Sequence, residues 1–125
     1  MFDVTRAFST FSVNDLAKAE EFYGKVLELK VRMLSNGFLE IPLASNKVLI
    51  YSKPNHQAAI FTILTFPVSD IEATVDKLIA RGVVFEQYDA PLQTNEKGIC
   101  KIEGGPKIAW FKDPSGNILA VLQEQ

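Results

Sequence analysis

Two stretches of this chain match each other. Phe66-Pro67-Val68-Ser69-Asp70-Ile71 answers Phe11-Ser12-Val13-Asn14-Asp15-Leu16 at a distance of 55 residues, with three identities in six positions, and Thr65 answers Thr10. Each stretch stands where a strand gives way to an amphipathic helix. Ala7–Val13 reads as the first strand, and Asn14-Asp15 begins a helix because both side chains accept bonds from free helical N–H groups. Leu16, Ala19, Phe22, Tyr23, Val26 and Leu27 then recur at helical spacing, with Lys18, Glu20, Glu21, Lys25 and Glu28 between them. In the second copy Ser69 and Glu72 make a capping-box signature, and Ile71, Thr74, Val75, Leu78 and Ile79 form the apolar stripe. Arg81-Gly82 ends it, glycine being suited to the left-handed position after a helix.

Strands follow both helices. Leu29–Leu34, Phe38–Leu43 and Lys47–Lys53 come after the first, the first two joined at Ser35-Asn36-Gly37, a hairpin signal because Asn and Gly accept positive φ. Val83–Tyr88, Lys107–Lys112 and Asn117–Gln123 come after the second, the last two joined by Asp113-Pro114-Ser115-Gly116, with proline presetting the turn. The expected fold is α+β: two tandem βαβββ modules, residues 1–55 and 56–125, forming one domain as a curled mixed-sheet cup with helices outside. The final strands, Val48-Leu49-Ile50 and Ile118-Leu119-Ala120, align at an offset of 70, so the second module carries about 15 extra residues. They fall in Asp89–Pro106, where Pro91, Gly98 and Gly104-Gly105-Pro106 indicate a loop, with a short strand at Ile99–Ile102. A loop this long is a binding lid or a variable insertion.

Composition removes several function classes. Thirteen basic and fifteen acidic residues are interspersed, for a net charge of −2, so no nucleic-acid or membrane partner is expected. The single cysteine, Cys100, excludes an internal disulfide framework. No apolar run approaches a membrane helix, and Met1–Arg6 lacks a secretory pattern, so a cytoplasmic location is expected.

Three pieces together resemble the vicinal oxygen chelate superfamily of glyoxalase I, extradiol dioxygenases and fosfomycin- and bleomycin-resistance proteins. They are Phe11–Leu16 running into Phe22-Tyr23-Gly24-Lys25-Val26-Leu27, then Phe66–Ile71, then Phe111-Lys112-Asp113-Pro114-Ser115-Gly116-Asn117. The resemblance implies a homodimer and a site within the sheet cup. It also implies a divalent metal held by His, Gln or Glu at four strand positions. Carried onto this chain, those positions are Phe8, Ile50, Ile63 and Ala120, none of which offers a metal donor. No cofactor is therefore expected.

Alternation places Phe8, Thr10 and Ser12 toward the cup, with Val48, Ile50 and Ser52, then Ile63, Thr65 and Pro67, then Ile118, Ala120 and Leu122. Ile108 and Trp110 share that side by parity from the Asp113 turn. Such walls suit an uncharged or aromatic small molecule, or else they fill the space as core. Arg32 faces Glu40 across the hairpin, an ion pair or ligand-orienting pair at the rim. His56 reads as a solvated loop residue and Cys100 as a buried small hydrophobe; neither has a sequence neighbour that would activate it. Gly104-Gly105-Pro106 lacks the spacing of a phosphate loop. Three functions stay open: metal-independent binding of a small molecule, a glyoxalase-type lyase, isomerase or dioxygenase-like enzyme with a displaced or absent metal, and a dimeric scaffold without ligand.

Overall fold

Asp15 and Asp70 do the same work in the two halves of the chain. Each has an extended backbone (φ −143° and −141°), and each carboxylate accepts a hydrogen bond from the backbone N–H three residues on, Lys18 at 3.0 Å and Ala73 at 3.1 Å. These are N-caps, satisfying donors that the first helical turn leaves free. The second cap is therefore Asp70, not the Ser69 that the capping-box spacing pointed to. With the cap one residue later, Glu72 sits too early in the helix to reach back to it.

The computed structural model describes all residues, Met1–Gln125, and divides them into two compact units, Met1–Gln57 and Ala58–Gln125. In the first unit α1 (Leu16–Glu21) passes into a π-helical turn, Phe22–Val26. Gly24 lies there because a Cβ would meet Val31 Cγ2 at 3.0 Å. In the second unit α2 (Ile71–Ala80) ends in a Schellman motif: Gly82, at φ 93°, donates to Ile79 C=O, and Val83 N–H donates to Leu78 C=O.

Each unit carries one four-stranded mixed sheet. The first contains β1 (Ser9–Val13), β2 (Arg32–Met33), β3 (Leu39–Pro42) and β4 (Lys47–Ser52) in the order β1-β4-β3-β2. The second contains β5 (Thr62–Pro67), β6 (Ile99–Lys101), β7 (Lys107–Lys112) and β8 (Ile118–Gln123) in the order β5-β8-β7-β6. In both, the strand before the helix pairs in parallel with the last strand, and the remaining pairs are antiparallel. The fold is α+β, with the same βαβββ topology built twice. Two expected strands shrink. Leu29–Leu34 is reduced to Arg32–Met33, after Glu28 leaves the helix in the left-handed region (φ 58°). Val83–Tyr88 keeps only the bridge between Phe85 and Phe111.

One face of each sheet is covered by that unit's own helix. In the first unit Phe11, Val13, Leu39, Ile41, Val48 and Ile50 share this face, with Phe11 against Tyr23 of the π-helical turn at 6.2 Å between ring centroids. In the second, Ala109, Phe111, Leu119 and Val121 are buried on the α2 side, where α2 packs on β7 and β8. Removing such side chains from water is the main favourable term in folding. The β7–β8 turn adds a buried polar knot. The Asp113 carboxylate accepts from Ser115 N–H, Asn117 N–H and Asn117 Nδ2 at 2.9, 2.9 and 3.0 Å. Asp113 and Asn117 are only 4% and 2% exposed, so these bonds are made away from water.

Strand pairing corrects the alignment of the two copies. Phe11 is opposite Ile50, and Phe66 is opposite Val121. Ile50 therefore corresponds to Val121, an offset of 71 and not 70. A slip of one residue turns every side chain of a strand to the other face.

Candidate functional site

Because of that slip, Ile50 and Ser52 leave the candidate set. Ile50 is in register with Phe11 and Leu39, and Ser52 with Val13, all on the helix side. The residues of β4 that join Thr10 and Ser12 on the opposite, helix-free face are Leu49 and Tyr51. Thr10, Leu49, Glu40 and Arg32 form one row across that face, since Thr10 pairs with Leu49, Leu49 with Glu40, and Glu40 with Arg32. Tyr51 pairs with Ser12, and its ring leans on Phe38 at 6.2 Å and 56°. Arg32 and Glu40 make the expected ion pair, Nη2 to Oε1. Glu40 is 7% exposed, whereas the Arg32 side chain is 66% exposed. Phe8 lies just before β1 with the Lys47 ammonium 4.6 Å from its ring centroid, a cation–π contact.

His56, read as a solvated loop residue, is part of this unit's structure instead. Its Nδ1 lies 2.7 Å from Ser12 Oγ, and both residues are half-buried.

In the second unit Thr65, Ala120, Trp110, Ile108 and Ile118 share the helix-free face by register. Thr65, Ala120 and Trp110 form one row, and Ile108 pairs with Leu122 and with Cys100. Cys100 is buried in β6. Ile118 pairs with Thr62, and Ile63 is the residue that a bulge between Thr62 and Leu64 leaves without a partner in β8. At the end of this face lies a cavity of about 460 Å³ lined by Trp110, Ile118, Thr62, Tyr88, Leu92, Ile60 and Phe61. Tyr88 meets the Trp110 ring edge-on at 5.3 Å, a preferred arrangement of two aromatic quadrupoles. Tyr88 is held there from the loop: its N–H donates to Thr94 Oγ1 at 2.9 Å, and Thr94 N–H donates back to Tyr88 C=O at 3.1 Å.

Sequence reasoning missed Leu49, Tyr51, Thr62, Tyr88, Leu92, Ile60 and Phe61. A signal for the last pair was present. Fifty-five residues earlier the matching positions are Thr5-Arg6, so Ile60-Phe61 puts apolar bulk where the first copy is polar. Ile60 is 93% exposed and Phe61 66%, so this apolar pair stands outside the core of its unit.

The four metal positions implied by the resemblance do not fit a metal. Phe8, Ile63 and Ala120 carry no donor, and the corrected register moves the fourth from Ile50 to Leu49, which carries none either. No group of three or more His, Cys, Asp or Glu side chains comes together to replace them.

The family model for the Glyoxalase/Bleomycin resistance protein/Dioxygenase superfamily matches residues 7–121. A superfamily member from Sphaerobacter thermophilus has a TM-score of 0.72 at 22% identity, over 95% of this chain and 96% of that one. An antibiotic binding protein from Streptomyces sp. CB03234 has a TM-score of 0.67 at 20% identity, over 95% and 96%. A lactoylglutathione lyase from Agrobacterium tumefaciens has 0.64 at 18% identity, over 93% and 90%. At these identities the likeness is one of fold. A comparison with curated protein sequences gives no match.

Proposed function

This chain belongs to the Glyoxalase/Bleomycin resistance protein/Dioxygenase superfamily, and from that we propose that it binds a small hydrophobic or aromatic molecule without a metal. The observation that carries this reading is the cavity beside Trp110 and Tyr88, whose walls are aromatic and aliphatic. Two rings meeting edge-on leave flat faces on which a planar ligand can stack, and most small-molecule sites are apolar with a few polar groups. The donor-free positions Phe8, Leu49, Ile63 and Ala120 support the metal-independent part. The superfamily contains both binding proteins and enzymes, and neighbours of similar fold include an antibiotic binding protein and a lyase.

An enzyme of glyoxalase type is the second reading. Its support is Glu40, a buried carboxylate on the helix-free face that could act as a base. It ranks second because Glu40 is already engaged by Arg32, and because proton abstraction of that type relies on a polarising metal that the donor set does not fit. The binding reading includes a homodimer and a cytoplasmic location. No helix is long and apolar enough to cross a membrane.

Titration with 1-methoxynaphthalene, a planar apolar probe, tests the proposal. Saturable change in the emission of Trp110, the single tryptophan, is the expected result. Protein dialysed against Ni²⁺, Zn²⁺ or Fe²⁺ should hold well under one equivalent. A tightly held ion per chain, or metal-dependent turnover of methylglyoxal with glutathione, would favour the enzyme.

A further inference from the structure

The chain between α2 and β6 is anchored on both sides of the wall that Tyr88 and Leu92 give to the cavity. Before that wall, Phe85 bridges to Phe111, and Glu86 N–H donates to Trp110 C=O at 2.8 Å. After it, the Asn95 side chain accepts from Lys97 N–H and Ile99 N–H at 2.9 and 3.0 Å, a turn that leads into β6. Tyr88 stands between these anchors and is 37% exposed. Thr94 spans the gap. Its hydroxyl oxygen accepts from Tyr88 N–H at 2.9 Å, and its one hydrogen has Gln87 Oε1 at 3.0 Å and Tyr88 C=O at 3.3 Å in reach. Its own N–H donates to Tyr88 C=O at 3.1 Å, and Gln87 Nε2 adds a longer bond to Glu96 C=O at 3.3 Å. The exposed residues Asp89–Gln93 are enclosed by this clasp, and Leu92 among them lines the cavity.

We infer that Thr94 is a positioning residue of this binding site: its hydroxyl holds Tyr88 and Leu92 in the shape that receives a planar ligand beside Trp110. The inference rests on the reading of the cavity as a site for a small aromatic molecule, and adds what keeps that site formed. An exposed loop has many conformations, and fixing them as the ligand arrives costs affinity. A clasp made before binding removes that cost. Threonine suits the task because one oxygen both accepts and donates, while the branched Cβ restricts χ1. Thr94 is not among the residues lining the cavity, so its effect passes through Tyr88 and Leu92.

Calorimetry with 1-methoxynaphthalene on the full chain tests this. Thr94→Val keeps the branched shape and loses the hydroxyl; it should weaken binding roughly threefold to tenfold, the worth of one hydrogen bond. Thr94→Ser should restore it. Without ligand, Thr94→Val should shift Trp110 emission as Tyr88 leaves its edge-on place at 5.3 Å, and Thr94→Ser should not. In a Tyr88→Ala background Thr94→Val should cost much less, since the ring it positions is gone. One measurement needs no variant. Coupling is reciprocal, so saturating probe should slow hydrogen exchange at Tyr88 N–H in the wild type by a similar factor. Full affinity in Thr94→Val, or unchanged exchange at Tyr88 N–H, overturns the inference and leaves the binding reading intact. A Thr94→Val protein that melts earlier yet binds as the wild type does shows a structural tie only, and also overturns it. A wild-type protein that does not bind the probe overturns both.

Discussion

The helix-free face of the first sheet carries Thr10, Ser12, Tyr51, Glu40 and Arg32, whereas the matching face of the second carries Thr65, Ala120, Trp110, Ile108 and Cys100. One is hydroxylated and charged; the other is mostly apolar. The helix-covered faces differ far less, with Phe11 and Val13 answered by Phe66 and Val68, and Asp15 capping as Asp70 does. A helix face must bury apolar area against its own module, so both copies meet the same demand. The other face meets no such demand from its own helix, and its side chains can diverge without disturbing the topology. The turns differ too. β3 and β4 are joined through Leu43 N–H on Asn46 C=O at 2.7 Å, while β7 and β8 are joined through the buried Asp113 knot.

The turn difference gives the largest expected effect. Asp113→Ala leaves buried donors unmatched and should cost about 2–4 kcal/mol in chemical denaturation. Asn46→Ala, at the exposed turn of the first unit, should cost under about 1 kcal/mol. Equal costs would mean that the knot does not distinguish the modules.

Binding comes next. Trp110→Ala should weaken 1-methoxynaphthalene by about tenfold or more, from loss of stacking area, with Arg32→Ala leaving it within about twofold. An Arg32 effect as large as that of Trp110 would break the division of the two faces into polar and apolar roles. For stability, the Arg32–Glu40 pair is asymmetric. Arg32→Ala strands a buried carboxylate and should cost about 1–2 kcal/mol, reduced by the exposure of the arginine. Glu40→Gln, which leaves only an exposed guanidinium, should cost less in the same denaturation series.

The smallest effect belongs to Glu72. Its carboxyl is held below the ordinary glutamate value, first by a backbone hydrogen bond and also by Lys107 at 3.3 Å. A depressed carboxyl stabilises the fold above its unfolded pKa and loses that contribution as pH falls through the lower folded value. Glu72→Gln should slightly flatten acid unfolding at that end of the range. An unchanged acid limb would show that the exposed pair contributes nothing.

Much of the architecture could be read from particular residues. The matched Phe–Val–Asp triplets mark both strand-to-helix junctions, and Asp113-Pro114-Ser115-Gly116 marks its turn. The faces of β4 could not be read in the same way. Val48-Leu49-Ile50 is apolar at every position, so alternation does not show which residue points where, and only the ladder with β1 decides it. The approach of His56 to Ser12 was hidden for a related reason. It depends on a turn after β4 and on a parallel pairing between distant strands, neither of which leaves a local pattern. Tyr88 could be seen as a strand residue, but its place against Trp110 follows from the Thr94 clasp on the loop.

The parallel pairing of β1 with β4, and of β5 with β8, has a consequence for how the chain is made. In each module the first strand synthesised is bonded to the last, so the sheet cannot close until the whole module has left the ribosome. Local hairpins such as β7–β8 can form quickly, while closure of the long crossover through the helix is slow. During translation β1 is therefore an unpaired edge that waits for β4, and β5 waits for β8. Each nascent module is most exposed to mispairing just before its final strand emerges, and the second, with its longer loop, waits longer than the first.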